Sequence, residues 1–449
     1  MTKPTITGAD LLARDHAHLL HPLHSAKLHQ QARVWVSGQG ALLTDADGNT
    51  FIDGLAGLWN VTAGHGNREL VEAMHEQADT LAYVSGYTGS SNPRAIELAE
   101  QLATLCYPSI NHFFFTSGGS EATESSIKMA RAYWKYRGQK TKTKVISRKE
   151  GYHGVTLAAM SATGLSSYWP LFEPRVPGFL HIPSPYPYRY EGQSEQSQGL
   201  SAADELEQAI LREGADTVAM FIAEPVQGAG GVIVPQDDYF PRIREICDRY
   251  QILLVADEVI TGFGRTGEMF ALNHWNIEPD IIQFAKAITS GYFPFGGIGI
   301  NDTIADTLDK ADTPWMHAYT YSAHPVGCAV ALRMLQLINE EGFPEQAETK
   351  GRRLLHGLRS ALADHEHVGD IRGKGLMCAV ELVENRETKK SFPDDQQVGI
   401  RVNQAAVAGG LFSRVKGDSY LLAPPVITTD SQLDQIVDIL TKAIRTILG

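Results

Sequence analysis

At 449 residues the chain exceeds what one core ordinarily supports, so two domains plus terminal segments are expected. Its 39 basic against 52 acidic residues leave a formal charge of -13, which opposes binding to nucleic acid or anionic membrane and directs attention to small-molecule chemistry. Four scattered cysteines, Cys106, Cys247, Cys328 and Cys378, contain no C-x-x-C pair, and neither a signal-like opening nor a membrane-length apolar run is evident, so a reducing cytoplasm is the expected setting.

The opening segment is amphipathic. His16, His18, His21, His24 and His29 follow near-helical spacing with no carboxylate cluster, which argues for a helix rather than a metal tract. Next, "RVWVSGQGALLTDADGNTFIDG" alternates apolar and polar residues around Asp47-Gly48, a hairpin signal. From about Asn67, helical stretches alternate with short apolar runs: "NHFFFTSGGSEATESS", "TKVISRKEGYHG", "DTVAMFIAEPVQG", "QILLVADEVITG" and "PDIIQFAKAI". That alternation predicts an α/β fold with a mainly parallel sheet covered on both faces, whose ligands sit beyond the carboxyl ends of the strands. The polar stretch Gly192 to Gly199 is expected to be a solvated loop. After about Pro325, helices followed by separate strands suggest a smaller α+β domain. The expected division is an N-terminal segment, 1–60, packing with the small domain; a large domain, 61–325; and a small C-terminal domain, 326–449.

The residues that end each apolar run carry the chemistry. Thr116-Ser117-Gly118-Gly119-Ser120 closes a strand and opens a helix, so Gly119 and Ser120 could hold a phosphate on free N–H groups; a serine-capped helix with a capping box reads the same way. Asp257 and Glu258 follow five apolar residues, where a carboxylate is costly without a cation or strong donors; capping or a salt bridge is the alternative. Tyr152, between glycines, could stack on a planar ligand or simply pack in the core. Gly262 to Gly267 satisfies G-x-G-x-x-G, but Asp257 to Thr261 separates it from the strand and no crossover helix follows, so nicotinamide binding is not expected. Lys286 ends "PDIIQFAK". A partly desolvated lysine has its charged form disfavoured and can form a Schiff base with an aldehyde, whereas an isolated one would reach to solvent. Phosphate cradle, aromatic plate, carboxylate and lysine recur on successive strands. Pyridoxal phosphate offers a phosphate, a flat ring, a pyridine nitrogen and an aldehyde, one for each.

With these motifs, and with "HLLHPLH", "DGLAGLWNVTAGHG", "AEPVQGAGGVIVP", "YTYSAHPVGCAVAL" and "SRVKGDSYLLAPP", nearly the whole chain resembles the class III (subgroup II) pyridoxal-phosphate-dependent aminotransferases, within them the omega-amino acid and amine:pyruvate transaminases. The resemblance implies a fold-type I architecture with a seven-stranded sheet in the large domain. It implies Lys286 as the Schiff-base lysine, Asp257 as the partner of the pyridine nitrogen, Gly119 and Ser120 at the phosphate and Tyr152 stacked on the ring. Val259 is implied beneath the other ring face, with Glu224 as a supporting carboxylate. Thr320 matches a residue that binds the phosphate across a dimer interface, and Tyr87 one that enters the substrate pocket from the partner, so a homodimer with shared sites, or a tetramer, is implied. Leu23 and Trp59 match pocket-lining positions. Arg414 matches the mobile arginine that takes a keto-acid carboxylate.

Two departures stand out. Gly118 replaces the first serine of the usual Ser-Gly-Ser-Glu turn, and Ala229 stands where the ornithine and 4-aminobutyrate branches carry glutamate. The second moves the expectation toward ping-pong transfer from an amine or omega-amino acid to pyruvate, giving alanine. A mutase or racemase on the same fold, or a preference for another keto acid, is the alternative. Taurine, β-alanine, putrescine and arylalkyl amines all remain open as donors.

Overall fold

The runs Val218–Ala223, Leu253–Asp257 and Ile281–Ala285 are buried at every position, which requires a sheet covered on both faces. The computed structural model describes residues 7–449, apart from 31, 88 and 191–196. These three runs are central strands of a seven-stranded sheet ordered Ile110–Thr116, Gly296–Asn301, Ile281–Ala285, Leu253–Asp257, Val218–Ala223, Lys144–Arg148, Phe179–Ile182. Only Gly296–Asn301 is reversed, antiparallel to both neighbours, while the other pairings are parallel. Its glycines permit that close insertion: a methyl on Gly297 would lie 2.8 Å from both the Phe284 ring and the Phe114 carbonyl.

Period-two alternation divides the core. Leu253 and Val255 join the cluster containing Ala130, Tyr133 and Trp134 of the helix Gly119–Tyr136. Leu254 and Ala256 face the opposite way, toward Leu206 and Ile210 of Gln198–Glu213 and Phe240 and Ile243 of Tyr239–Tyr250. Each face therefore carries helices, and the parallel strands deliver Thr116, Arg148, Ala223, Asp257 and Ala285 to one edge.

A second sheet joins Val368–Lys374, Met377–Leu382, Ser419–Leu422 and Arg414–Lys416, all antiparallel. The third contains Trp35–Gln39, Leu42–Asp45 and Thr50–Asp53, with Asp47-Gly48 turning between the last two, and is completed by Leu411–Phe412 running parallel to Thr50–Asp53. Pairing with that distant strand ties the N-terminal segment to the C-terminal part of the chain. Pro325–Glu340 packs on Arg68–Leu81 and Pro93–Leu105, so this helix bridges the division we propose near residue 325.

Three expectations meet the structure here. The loop expected at 192–199 lies largely outside the described residues, and its end is helical: the Ser197 hydroxyl accepts from the Leu200 N–H at the start of Gln198–Glu213. The glycine run 262–267 forms a buried brace, with Arg265 donating to the Ala423 and Pro424 carbonyls and to the Thr62 hydroxyl. The rings of His21, His24 and His29 stack nearly parallel; among the described residues no group of three or more His, Cys, Asp or Glu side chains could hold a metal ion. Nor is any described helix long and apolar enough to cross a membrane.

Candidate active site

At the carboxyl edge of the large sheet lies a cavity of about 180 Å³ lined by Gly119, Ser120, Tyr152, His153, Gly154, Glu224, Asp257, Val259, Ile260 and Lys286. Seven of the expected residues (Gly119, Ser120, Tyr152, Glu224, Asp257, Val259 and Lys286) thus meet in one place, drawn from five strand ends.

Lys286 begins a short 3-10 turn, Lys286–Thr289, with φ 51. A left-handed lysine is uncommon and must be held by its surroundings. The same turn ends at Ser290, also left-handed, whose hydroxyl accepts from the Ala63 N–H at 2.9 Å. Burial pushes the Lys286 ammonium below its ordinary range, against the opposing pull of Asp257 and Glu224. Burial therefore disfavours the charged ammonium.

Asp257 ends its strand almost wholly buried. One carboxylate oxygen lies 2.6 Å from His153 Nδ1, and the other accepts from the Val259 N–H at 3.2 Å. His153 is fixed in turn: its N–H donates to the Thr163 hydroxyl, and its carbonyl accepts from Thr123 at 2.7 Å. Glu224 accepts from the N–H groups of Tyr152 and Gly228, each at 2.9 Å. Burial raises its pKa, and Asp257 adds to that while His153 opposes it.

The helix Gly119–Tyr136 opens with no side-chain cap at Gly118, leaving its first-turn N–H groups for a ligand. The capping-box alternative does not form. Glu121 instead accepts from the Ser117 N–H, and the Ser120 hydroxyl accepts from the Val155 N–H at 3.3 Å. Close packing here requires glycine: at Gly154, φ 114, a methyl would sit 2.3 Å from Ser120 Oγ, and at Gly119 it would meet Val259 at 3.1 Å. Tyr152 is half-buried beside Tyr168, ring centroids 5.9 Å apart; burial raises its phenol pKa, and the positive charge of Arg414 pulls against that shift.

These groups fit pyridoxal phosphate. An uncapped helix start suits the phosphate, buried Asp257 suits a protonated ring nitrogen, and a buried amine with a lowered pKa suits the aldehyde.

Leu23, Trp59, Tyr87, Thr320 and Arg414 do not line the cavity. Thr320 is exposed, and its carbonyl accepts from the Tyr83 hydroxyl at 2.9 Å; Leu23 and Tyr87 are exposed as well. Thr320 and Tyr87 were expected to serve a second chain's site, which a single chain cannot assemble. Trp59 is 2% exposed at φ 62, within a turn where Asp53 accepts from the Leu55 and Gly57 N–H groups and from His65. Arg414 stands exposed at the start of Arg414–Lys416, near enough for its charge to act on Tyr152.

Sequence reasoning missed His153, although "GYHG" contains it. It also missed Gln283, the one polar residue in an otherwise apolar buried run, which donates to the Thr123 hydroxyl at 2.9 Å and accepts from Ser126. A buried glutamine in such a run needs a partner, and that was the available signal.

Residues 24–444 match the family described as aminotransferase class-III. A putrescine–pyruvate aminotransferase of Pseudomonas aeruginosa is 40% identical over 96% of this chain and 95% of its own length. A diaminobutyrate–2-oxoglutarate transaminase of Halomonas elongata is 37% identical over 98% and 96%. Among solved structures, a thermostable (S)-enantioselective omega-transaminase from Thermomicrobium roseum superimposes with a TM-score of 0.96 at 45% identity, covering 99% of each chain, and other matched transaminases carry PLP or PMP. With lysine, carboxylate and uncapped helix gathered at one sheet edge, the chain belongs to the class III aminotransferases and is a pyridoxal-phosphate-dependent enzyme.

Proposed function

We propose that the enzyme is an omega-transaminase that moves an amino group from an amine or omega-amino acid to pyruvate, yielding alanine by a ping-pong mechanism. Bound pyridoxal phosphate supplies an aldehyde and an electron-withdrawing ring, and stores the amino group between half-reactions. The first-turn N–H groups of Gly119 and Ser120 hold its phosphate. Asp257, braced by His153, holds a positive charge at the ring nitrogen, and Glu224 fixes the Tyr152 backbone behind it. Tyr152 and Val259 confine the ring from its two faces. Lys286, its charged form disfavoured by burial, would take a proton from the substrate carbon on its ε-nitrogen and deliver it to the carbon that had been the cofactor's aldehyde.

One observation carries the acceptor assignment: a cation, Arg414, acts on Tyr152 at the cavity edge, and an arginine fork suits a planar carboxylate. Ala229, in place of an acidic residue, and the similarity to a putrescine–pyruvate enzyme support pyruvate. A homodimer completes the proposal. Exposed Leu171, Phe172, Met316 and Tyr321 offer apolar surface for a second copy, bringing Thr320 and Tyr87 to its site with Leu23 and Trp59 at the rim.

The test separates the two halves of the reaction. Holoenzyme is incubated with an amine, the amine is removed, and pyruvate is added alone. One equivalent of alanine per site is expected; none with pyruvate, but glutamate with 2-oxoglutarate, would contradict the acceptor.

A further inference from the structure

Two cations, not one, leave the same face of the strand Arg414–Lys416. Residues two apart on a strand point the same way, with Cα atoms roughly 7 Å apart. Arg414 forms no salt bridge among the described residues. Lys416 does: its Nζ lies 2.5 Å from Glu150 Oε2.

Glu150 lies two residues before Tyr152, the cavity residue on which the charge of Arg414 acts. Its position is rigid. Glu150 is left-handed at φ 61, its N–H donates to the Gly164 carbonyl, and a methyl on Gly230 would lie 2.2 Å from its own carbonyl oxygen. Taken whole, the side chains are 38% exposed for Lys416 and 36% for Glu150, while the Glu150 Oε2 that meets the lysine is itself buried, so the pairing is shielded from solvent and the rest of each side chain is not.

We infer that the Glu150–Lys416 ion pair sets acceptor selectivity by neutralising a second cation beside Arg414. The rim then presents one unpaired positive charge, which suits a keto acid with a single carboxylate. A keto diacid finds its second carboxylate facing an occupied lysine and the negative charge of Glu150. Discrimination of this kind rests on an element that repels the wrong substrate as much as on one that attracts the right one. The inference rests on the reading that Arg414 takes the acceptor carboxylate.

The experiment measures kcat/KM for 2-oxoglutarate and for pyruvate, with one amine held fixed, in the wild-type holoenzyme and in Glu150→Gln, Lys416→Met, the double variant, Lys416→Glu and Arg414→Ala. Glu150→Gln should raise the diacid-to-monoacid ratio about fivefold, or about 1 kcal/mol at 1.4 kcal/mol per tenfold, and added salt should shrink the gain. The double variant should return to the ratio of Lys416→Met, and Lys416→Glu should fall below wild type, an arm that does not depend on Glu150→Gln folding. An unchanged ratio in Glu150→Gln, or a gain that survives in the double variant, overturns the inference while Arg414→Ala still loses both acids. If Arg414→Ala loses neither acid, the underlying reading of Arg414 is wrong and the inference falls with it.

Discussion

Burial disfavours charge on Lys286 and on Glu224 alike, lowering the one pKa and raising the other, so both side chains are driven toward neutrality in one cavity. The neutral amine is the form able to take a proton. Lys286→Ala should therefore lose turnover by roughly 10³-fold or more while keeping the fold, as checked by steady-state rates beside a thermal melt. Undiminished turnover would remove the residue from the chemistry. His153 acts through Asp257, so His153→Phe should weaken cofactor retention by about tenfold, the loss of roughly one charge-assisted hydrogen bond, and shift the pH dependence of the bound cofactor's absorbance. An unchanged absorbance profile would make the histidine merely structural. The place of Lys286 and Asp257 in the cavity was legible because a charge at the end of a largely apolar run is costly to bury unless a partner or a ligand receives it. His153 was not, because "GYHG" showed only that an aromatic residue sat between glycines.

At the scale of elements, a buried chain of polar groups registers the helix Gly119–Tyr136 against the sheet. Gln283 on Ile281–Ala285 donates to Thr123 on Gly119–Tyr136, and Thr123 donates to the His153 carbonyl. Gln283→Leu leaves Thr123 and Ser126 short of a partner. It should cost about 1–3 kcal/mol by urea titration and loosen the cofactor together with stability; a change below about 0.5 kcal/mol would show that the network is dispensable. The parallel strands were legible from apolar run length and the helices between them. The reversed strand Gly296–Asn301 was not: its glycines look like a loop until Phe284 and Phe114 are seen to close on Gly297. The helical start at Gln198 was hidden by polar composition, since Ser197 reads equally as a loop residue and a cap.

The whole molecule couples stability to pH through histidines outside the cavity, His181, His274 and His317, each held down to about 4 by burial. Burial and the nearby Arg175 hold His181 down to about 4 from its ordinary 6.5, and its Nε2 has no hydrogen-bond partner. The folded state thus binds this proton more weakly than the unfolded chain, so the stabilisation present above about pH 6.5 is lost as pH falls toward 4. His181→Phe should reduce the slope of the thermal midpoint between pH 6.5 and 4, with His274 and His317 supplying the rest; an identical profile would exclude the residue as a source. Assembly also belongs to this scale. Light scattering should give twice the mass of one chain, and activity should fall on dilution below the dissociation constant, because the proposed site draws Thr320 and Tyr87 from a partner. Thr320 and Tyr87 are exposed on the single chain, as the proposed dimer requires of residues lent to a partner.

Lys286 is the group proposed to join the cofactor. Borohydride reduction of the loaded enzyme, followed by proteolysis and peptide mapping, should place the pyridoxyl label on the peptide containing Lys286 and abolish activity. A label on another lysine, or none on a fully loaded protein, would contradict the account.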